Sequence, residues 1–300
     1  MKSEKQKKIA VIDFGSNSTR LLITKTDDIF HPLVELTTVT RLSEGAFEDG
    51  ILKMAPVART LSVAGGYLEI CRKQQAQVRS FGTNILREAK NSGDFLEKAG
   101  KLGLTVKILS GKDEAYFNYL AVKNFFRDDL DSLAVDLGGG SMELIYWRGE
   151  ECLLESKPVG CIRFLDDWES GRFDKIRKAV LSGLNQSRST GSFTRLIGIG
   201  GTATTLASID LSLPEFDQTK VQGHGIPRAR LEKIYRNLSE MDLESRKKIP
   251  GMDPTRADAL PCGALIILTL MEHFSSDLLL ASHYDLMYGY AIANKEKTGL

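Results

Sequence analysis

The chain has 300 residues, enough for roughly two domains that each bury a core of their own. Hydrophobic residues make up 42%, charged residues 26%, and the net charge is +1, an ordinary globular composition with no overall field to attract nucleic acid or an acidic membrane. The cysteines (Cys71, Cys152, Cys161, Cys262) and histidines (His31, His224, His273, His283) lack zinc-site or disulfide spacing, no apolar signal region precedes the first strand, and the longest apolar run, 264–271, is too short to span a membrane; a cytoplasmic protein is expected.

Residues 9–42 read as three strands, apolar runs parted by polar turns. The first turn carries Asp13 and then Gly15, Ser16, Asn17 and Ser18. A polar loop follows at 41–45, where Arg41 is either a solvated charge or a phosphate contact. Apolar residues at helical spacing (Val57, Leu61, Ala64, Leu68, Cys71) predict a helix over 54–73. The strand 78–81 feeds a helix opened by Gly82-Thr83-Asn84, with Asn84 as its expected cap. Arg87 on that helix is either half of a surface ion pair with Glu88 or a phosphate ligand, a role its guanidinium suits. A helix near 94–101 and a strand over 105–109 come next. Ser110 then precedes Asp113 and Glu114 with capping-box spacing, at the start of a helix that runs to about residue 126. From local pattern these acids either complement the helix dipole or supply a general base.

The acidic run Asp128-Asp129-Leu130-Asp131 is the expected boundary between a first lobe, 1–127, and a second, 128–300, whose last helix is a candidate to pack back on the first. After it, a buried strand runs into Asp136, then Gly138, Gly139, Gly140 and Ser141, then a second strand carrying Glu143. Successive glycines permit positive φ and close approach of backbone to a ligand, and a turn of exposed N–H groups cradles anions. Carboxylates beside a phosphate cradle usually need a cation such as Mg²⁺ between them and the phosphate, so Asp136 and Glu143 are candidate metal ligands. The segment aligns without gaps on residues 9–23: Asp13 falls on Asp136, Gly15 on Gly138, Ser18 on Ser141 and Leu21 on Leu144. Asp13 joins the candidate metal set. The repeat predicts two similar halves, each opening with a β-meander; two such turns facing across a cleft make a polyanion site.

The rest of the second half reads as a turn at 158–163, a helical region over 166–184 and a polar loop over 186–194. A strand near 196–199 then meets Gly200, Gly201 and Thr202 at a helix start, a third candidate phosphate turn. A loop at 221–227, a helix over 230–240, a loop at 249–256, a buried helix over 259–274, a strand over 277–281 and a last helix over 285–296 complete the chain.

With these motifs in view, the chain resembles the exopolyphosphatase / guanosine pentaphosphate phosphohydrolase (Ppx/GppA) family of the actin-like ATPase superfamily. The carriers are Asp13-Phe14-Gly15-Ser16-Asn17-Ser18, Gly82 to Ala89 with Arg87, Ser110-Gly111-Lys112-Asp113-Glu114-Ala115, Asp136 to Leu144, Val159-Gly160-Cys161-Ile162-Arg163, Ile199-Gly200-Gly201-Thr202 and Arg256-Ala257-Asp258. The resemblance implies an α/β fold of two similar ribonuclease H-like lobes with a phosphate-binding cleft between them. It implies removal of terminal phosphate from inorganic polyphosphate or guanosine pentaphosphate, with Mg²⁺ or another divalent cation. By position, Glu114 matches the glutamate that activates or orients the attacking water, Glu143 a second acid near that water, and Asp136 a carboxylate of the Mg²⁺ site. The turns at 15–18 and 138–141 match two phosphate loops, and Arg87 matches an arginine facing the polyanion. Two departures stand out. Asp113 replaces the first of two glutamates, and Met287 in Asp285-Leu286-Met287-Tyr288-Gly289 stands where the family has arginine. A superfamily kinase and a non-enzymatic nucleotide or polyphosphate sensor are the rival readings. No nucleic-acid or membrane partner is expected, and a homodimer is left open.

Overall fold

A computed structural model describes residues 7–126, 132–148, 151–185 and 191–295. The lysine-rich head up to residue 6, the acidic run 128–131, most of the polar loop 186–194 and residue 296 lie outside the described residues. The chain divides into two compact units, Met1–Ala121 with Leu286–Leu300, and Val122–Asp285.

The sheet of the first unit holds β1 (Lys8–Phe14), β2 (Ser18–Lys25), β3 (Val34–Val39), β4 (Gln77–Gly82) and β5 (Val106–Ile108) in the order β3-β2-β1-β4-β5. β1, β2 and β3 form an antiparallel meander, while β4 runs parallel to β1 and β5 parallel to β4. β1 is apolar along almost its whole length and buried on both faces, as a central strand covered by helices must be. β3, the edge strand, reads Val-Glu-Leu-Thr-Thr-Val and stays largely exposed. Helix Met54–Gln74 packs on β1, β2 and β4, and helix Leu286–Asn294 returns to pack on β1. That last helix carries the departure from the family pattern. Met287 is buried, the Tyr288 hydroxyl donates to Glu35 Oε2 (2.9 Å), and Gly289 lies so close to the Phe117 carbonyl that a Cβ there would overlap it. In this chain the segment is a packing surface.

The second unit repeats the plan with β6 (Ser132–Leu137), β7 (Met142–Arg148), β8 (Glu151–Lys157), β9 (Arg195–Ile199), β10 (Gly225–Pro227) and β11 (Leu278–Ser282), ordered β10-β11-β9-β6-β7-β8. β6, β7 and β8 are the antiparallel meander; β9 is parallel to β6, and β11 to β9. Strand for strand this is the order of the first unit with one antiparallel edge strand, β10, added. The expected pair of similar ribonuclease H-like α/β lobes is what these sheets show. No helix among the described residues is long and apolar enough to cross a membrane.

Three local readings differ from the structure. Asn84 is the first residue of helix Asn84–Glu88 and not its cap; its amide donates to Glu88 Oε1 (2.7 Å). The region 166–184 is two helices, Leu165–Glu169 and Phe173–Leu184, parted at Gly171 with φ +70°. β10 lay hidden in an expected loop because a three-residue edge strand that ends in proline has no alternation to show.

Candidate active site

The first glycine/serine turn closes the β1–β2 hairpin. The Gly15 N–H donates to the Ser18 carbonyl (3.0 Å), and a second loop then takes up the remaining carbonyls. The Ser16 carbonyl accepts from the Ser43 N–H (3.1 Å), and the Asn17 carbonyl accepts from Thr40 and Arg41 (3.0 and 2.8 Å). To put both N–H groups on one oxygen, Arg41 adopts a left-handed backbone, φ 45°, which costs a non-glycine residue about 1 kcal/mol. Arg59 braces the loop, its Nε donating to the Thr40 carbonyl (2.7 Å) and its Nη2 to Glu44 Oε2 (2.8 Å). Among the described residues the N–H groups of Ser16 and Asn17 donate to no carbonyl. Asn17 Oδ1, Ser18 Oγ and Ser43 Oγ are buried without a hydrogen-bond partner. Buried polar atoms are nearly always satisfied, which makes this cluster a candidate place for an external polar ligand.

The second turn is built the same way. The Gly138 N–H donates to the Ser141 carbonyl (3.0 Å). The Gly138 carbonyl accepts from the Cys161 N–H, and the Gly139 carbonyl from Ile162 and Arg163 (2.9 Å each). The Gly140 carbonyl accepts from Arg163 Nε (2.8 Å). Cys161 Sγ also points at the Gly138 carbonyl (3.4 Å), and burial holds this thiol above its ordinary pKa against the pull of Arg256, so it serves as a neutral donor. Gly160 packs directly on the Gly139–Gly140 peptide and leaves no room for a Cβ. In both turns a flanking loop consumes the carbonyl oxygens, which would repel an anion, and the amide edge is what remains.

The hairpins differ at one cross-strand position. Asp13 pairs with Arg20 across β1 and β2, whereas Asp136 pairs with Glu143 across β6 and β7. Arg20 Nε and Nη2 lie 2.9 and 2.8 Å from Asp13 Oδ2, a pair with Asp13 almost fully buried. Residues directly opposite on an antiparallel ladder share a face with Cβ atoms about 5 Å apart, so the second unit holds two carboxylates side by side. Glu143 is buried and its Oε1 accepts from Ser156 Oγ (2.8 Å). Among the described residues no three His, Cys, Asp or Glu side chains gather into a metal cage. Two neighbouring carboxylates fit Mg²⁺, which binds one or two and completes its shell with water and phosphate.

Arg87 and Glu114 meet each other. Arg87 Nη1 lies 2.6 Å from Glu114 Oε1 and donates also to the Leu109 carbonyl (2.6 Å). Glu114 is 4% exposed. Its neighbour Asp113 has a different task. Asp113 Oδ2 accepts from the N–H and hydroxyl of Ser110, and Ser110 Oγ accepts from the Asp113 N–H, a reciprocal capping box. Partial burial pushes the Asp113 carboxyl up, but the Ser110 hydrogen bonds and Lys107 outweigh it and hold the group below its ordinary pKa. The cap thus belongs to Asp113, and Glu114 faces Arg87.

The third turn leads from β9 into helix Gly201–Asp210. Gly200, φ +79°, donates its N–H to the Ser282 carbonyl (3.1 Å), and a Cβ there would come within 3.3 Å of Asp136 Oδ1. Thr202 Oγ1 donates to the Leu137 carbonyl (3.3 Å), so what Thr202 presents is its backbone. The Arg256 guanidinium lies where a Gly201 side chain would be, which sets a cation on a helix N-terminus. Arg20, Arg59, Arg163 and Arg256 were not singled out as site residues from sequence. The signal for Arg20 existed: in a hairpin closed by Gly15 and Ser18, position 20 must face position 13.

The sequence model of the Ppx/GppA phosphatase family matches residues 7–294. Exopolyphosphatase 2 of Mycobacterium tuberculosis is 26% identical over 312 residues, covering 95% of this chain and 98% of that protein. The guanosine-5'-triphosphate,3'-diphosphate pyrophosphatase of Vibrio campbellii is 29% identical over 90% of this chain, which spans 56% of that longer protein. The crystal structure of an Aquifex aeolicus Ppx/GppA family member superposes with a TM-score of 0.80 at 27% identity, covering 98% of this chain and 99% of that one.

Proposed function

The chain belongs to the Ppx/GppA phosphatase family and by that membership is a phosphoanhydride hydrolase. From this premise we propose that it removes terminal phosphate from inorganic polyphosphate or guanosine pentaphosphate by attack of water on the terminal phosphorus. The observation that carries the reading is the pair of carbonyl-locked amide turns, one of them beside the Asp136–Glu143 carboxylate pair. Phosphoryl transfer asks mainly for positioning and for neutralisation of charge on the phosphate oxygens. The N–H groups of Ser16, Asn17, Gly139 and Gly140, the amides of Gly201 and Thr202, and Arg256 supply donors. Asp136 and Glu143 would hold Mg²⁺, which when bound neutralises charge on the phosphate oxygens. Asp13, its Oδ2 held by Arg20, sets the first hairpin and is the third candidate carboxylate for the metal. Glu114, its carboxylate oriented by Arg87, accepts the hydrogen bond of the attacking water and takes its proton.

Phosphate release from polyphosphate and from guanosine pentaphosphate, each with and without chelator, tests the proposal. We expect release from one or both, lost in chelator. Full activity in excess chelator overturns the metal role, and no release from either substrate overturns the hydrolase reading.

A further inference from the structure

Three helices of the second unit, Phe173–Leu184, Arg228–Glu240 and Leu260–His273, meet around a cavity of about 350 Å³ that the reaction above does not use. Its size lies at the lower end of ordinary ligand pockets, about 300–1,000 Å³. Each helix brings charge to it. Arg177 comes from the first helix, Arg228, Glu232 and Arg236 from the second, and Glu272 from the third. Tyr235 and Leu268 complete the wall. The phosphate turns lie elsewhere. Helix Leu260–His273 packs its Gly263 against Thr202 of the third turn. Glu272 stands further along the same helix, about 13 Å away at about 1.5 Å of rise per residue.

The arginines of this cavity keep most of their hydrogen-bonding capacity. A guanidinium is rich in N–H donors and has no acceptor. Arg177 Nη1 donates to Glu272 Oε2 at 3.3 Å, which is long for such a bond. Arg228 Nε lies 3.8 Å from Glu232 Oε1, beyond hydrogen-bond reach. Arg236 makes no side-chain hydrogen bond or ion pair among the described residues. Three guanidinium groups thus share one cavity with two loosely held carboxylates. Like charges on a concave wall repel one another and focus a positive potential into it. Arg228 carries a second cost. It opens helix Arg228–Glu240, where the dipole disfavours a cation, and no acidic residue stands in that first turn. An anion between the arginines offsets both costs. The planar fork of a guanidinium matches the oxygens of phosphate.

We propose that this cavity is a second anion site, which binds the phosphate group of a small molecule, either free orthophosphate or a phosphomonoester such as a sugar phosphate. Arg177, Arg228 and Arg236 hold the phosphate oxygens. Orthophosphate occupies only part of the volume, and the remainder has room for the body of an ester against Tyr235 and Leu268. The inference is independent of the hydrolase reading, because none of these residues belongs to the glycine turns or to the carboxylates placed in the reaction.

The test uses the full chain. Trp147→Phe leaves Trp168 as the single tryptophan, and Trp168 meets the ring of Tyr235 edge-on at 5.9 Å. Its fluorescence therefore reports on the cavity wall. Orthophosphate, glucose 6-phosphate and glucose are titrated at constant ionic strength, with sodium chloride as the salt control. We expect a saturable change with orthophosphate, with glucose 6-phosphate or with both, and none with glucose. The tighter of the two phosphates names the source. Arg228→Gln combined with Arg236→Gln should weaken that binding roughly ten- to a hundredfold, as loss of hydrogen bonds from a charged group does. Phosphate release from polyphosphate without added ligand should stay at the wild-type rate. If the double variant melts early, Arg236→Gln alone, at an exposed position, serves the same purpose. Equal affinity in wild type and variant, or a response to glucose or to sodium chloride alone, overturns the proposal. So does parallel loss of phosphate binding and hydrolysis in a folded variant, because one site would then serve both. Arginine-dependent phosphate binding in a chain that hydrolyses neither polyphosphate nor guanosine pentaphosphate keeps the site and removes the hydrolase.

Discussion

The two hairpins that open the two units share a backbone and differ in one side chain. Each closes with a glycine N–H on the carbonyl of a serine, and each has its turn carbonyls taken up by a loop after the third strand. Opposite the aspartate, however, the first unit places Arg20 and the second Glu143. The first pair neutralises itself in place. The second sets two carboxylates on one face, an arrangement that is unfavourable on a sheet by about 0.2–1 kcal/mol. A duplicated scaffold thus carries an ion pair in one copy and a carboxylate pair in the other, and under the proposed mechanism the second is the one that takes part in the chemistry.

The comparison breaks most sharply if the second hairpin is made to resemble the first. Glu143→Arg should lower kcat by at least about 10², since losing one charge-stabilising group typically costs 10²–10³. Melting temperature should hold or rise as the like-charge contact disappears. A variant that keeps full turnover would show that the carboxylate pair is not chemical. Glu114→Gln tests the group that stands outside both hairpins. General-base assistance is worth about 10²–10⁴ in rate, so kcat should fall on that order with little change in KM, because glutamine keeps the volume and an acceptor for Arg87. Single-turnover phosphate release measures this directly.

Smaller effects sharpen the structural side of the contrast. Arg20→Met leaves Asp13 buried without its guanidinium. Loss of one partner of a buried pair costs about 3–5 kcal/mol, and because the Arg20 side chain is 22% exposed we expect less than that, about 1–3 kcal/mol, in urea unfolding. Activity per folded molecule should survive; a specific collapse of kcat would assign Asp13 a chemical role after all. Asp113→Asn should do least, about 1 kcal/mol or less from a weakened cap. Its folded pKa lies below the ordinary carboxylate value, so the stability it confers is present above about pH 4 and is lost as pH falls through the folded value. Thermal melts of wild type and Asp113→Asn should converge below that point.

Much of this molecule is legible without coordinates. The internal repeat at Asp13 and Asp136 announces two similar sheets because a hairpin records itself locally: glycines at the turn, apolar runs on either side, and a spacing that repeats without gaps. The motifs around Glu114, Arg87 and Gly200 can be located for the same reason. What local pattern could not do was divide labour between neighbours. Asp113 and Glu114 look alike in one dimension, and only the packing of helix Gly111–Phe125 turns one toward Ser110 and the other toward Arg87.

Hydrophobic periodicity and glycine's conformational range act over a few residues, so most of the elements, their repeat and the chemical types available at each turn are readable along the chain, while a short edge strand such as β10 is not. Which groups meet depends on how the chain packs. Loops at 40–43 and 160–163 lie more than twenty residues beyond the turns they grip, so the locking of the turn carbonyls is invisible along the chain. Arg256 covers Gly201 across a gap of 55 residues, and Arg177, Arg236 and Glu272 converge on one cavity from three separate helices. Such contacts arise from folding a hydrophobic core, which brings distant positions together at a cost in loop closure that grows only slowly with their separation. No local preference records them.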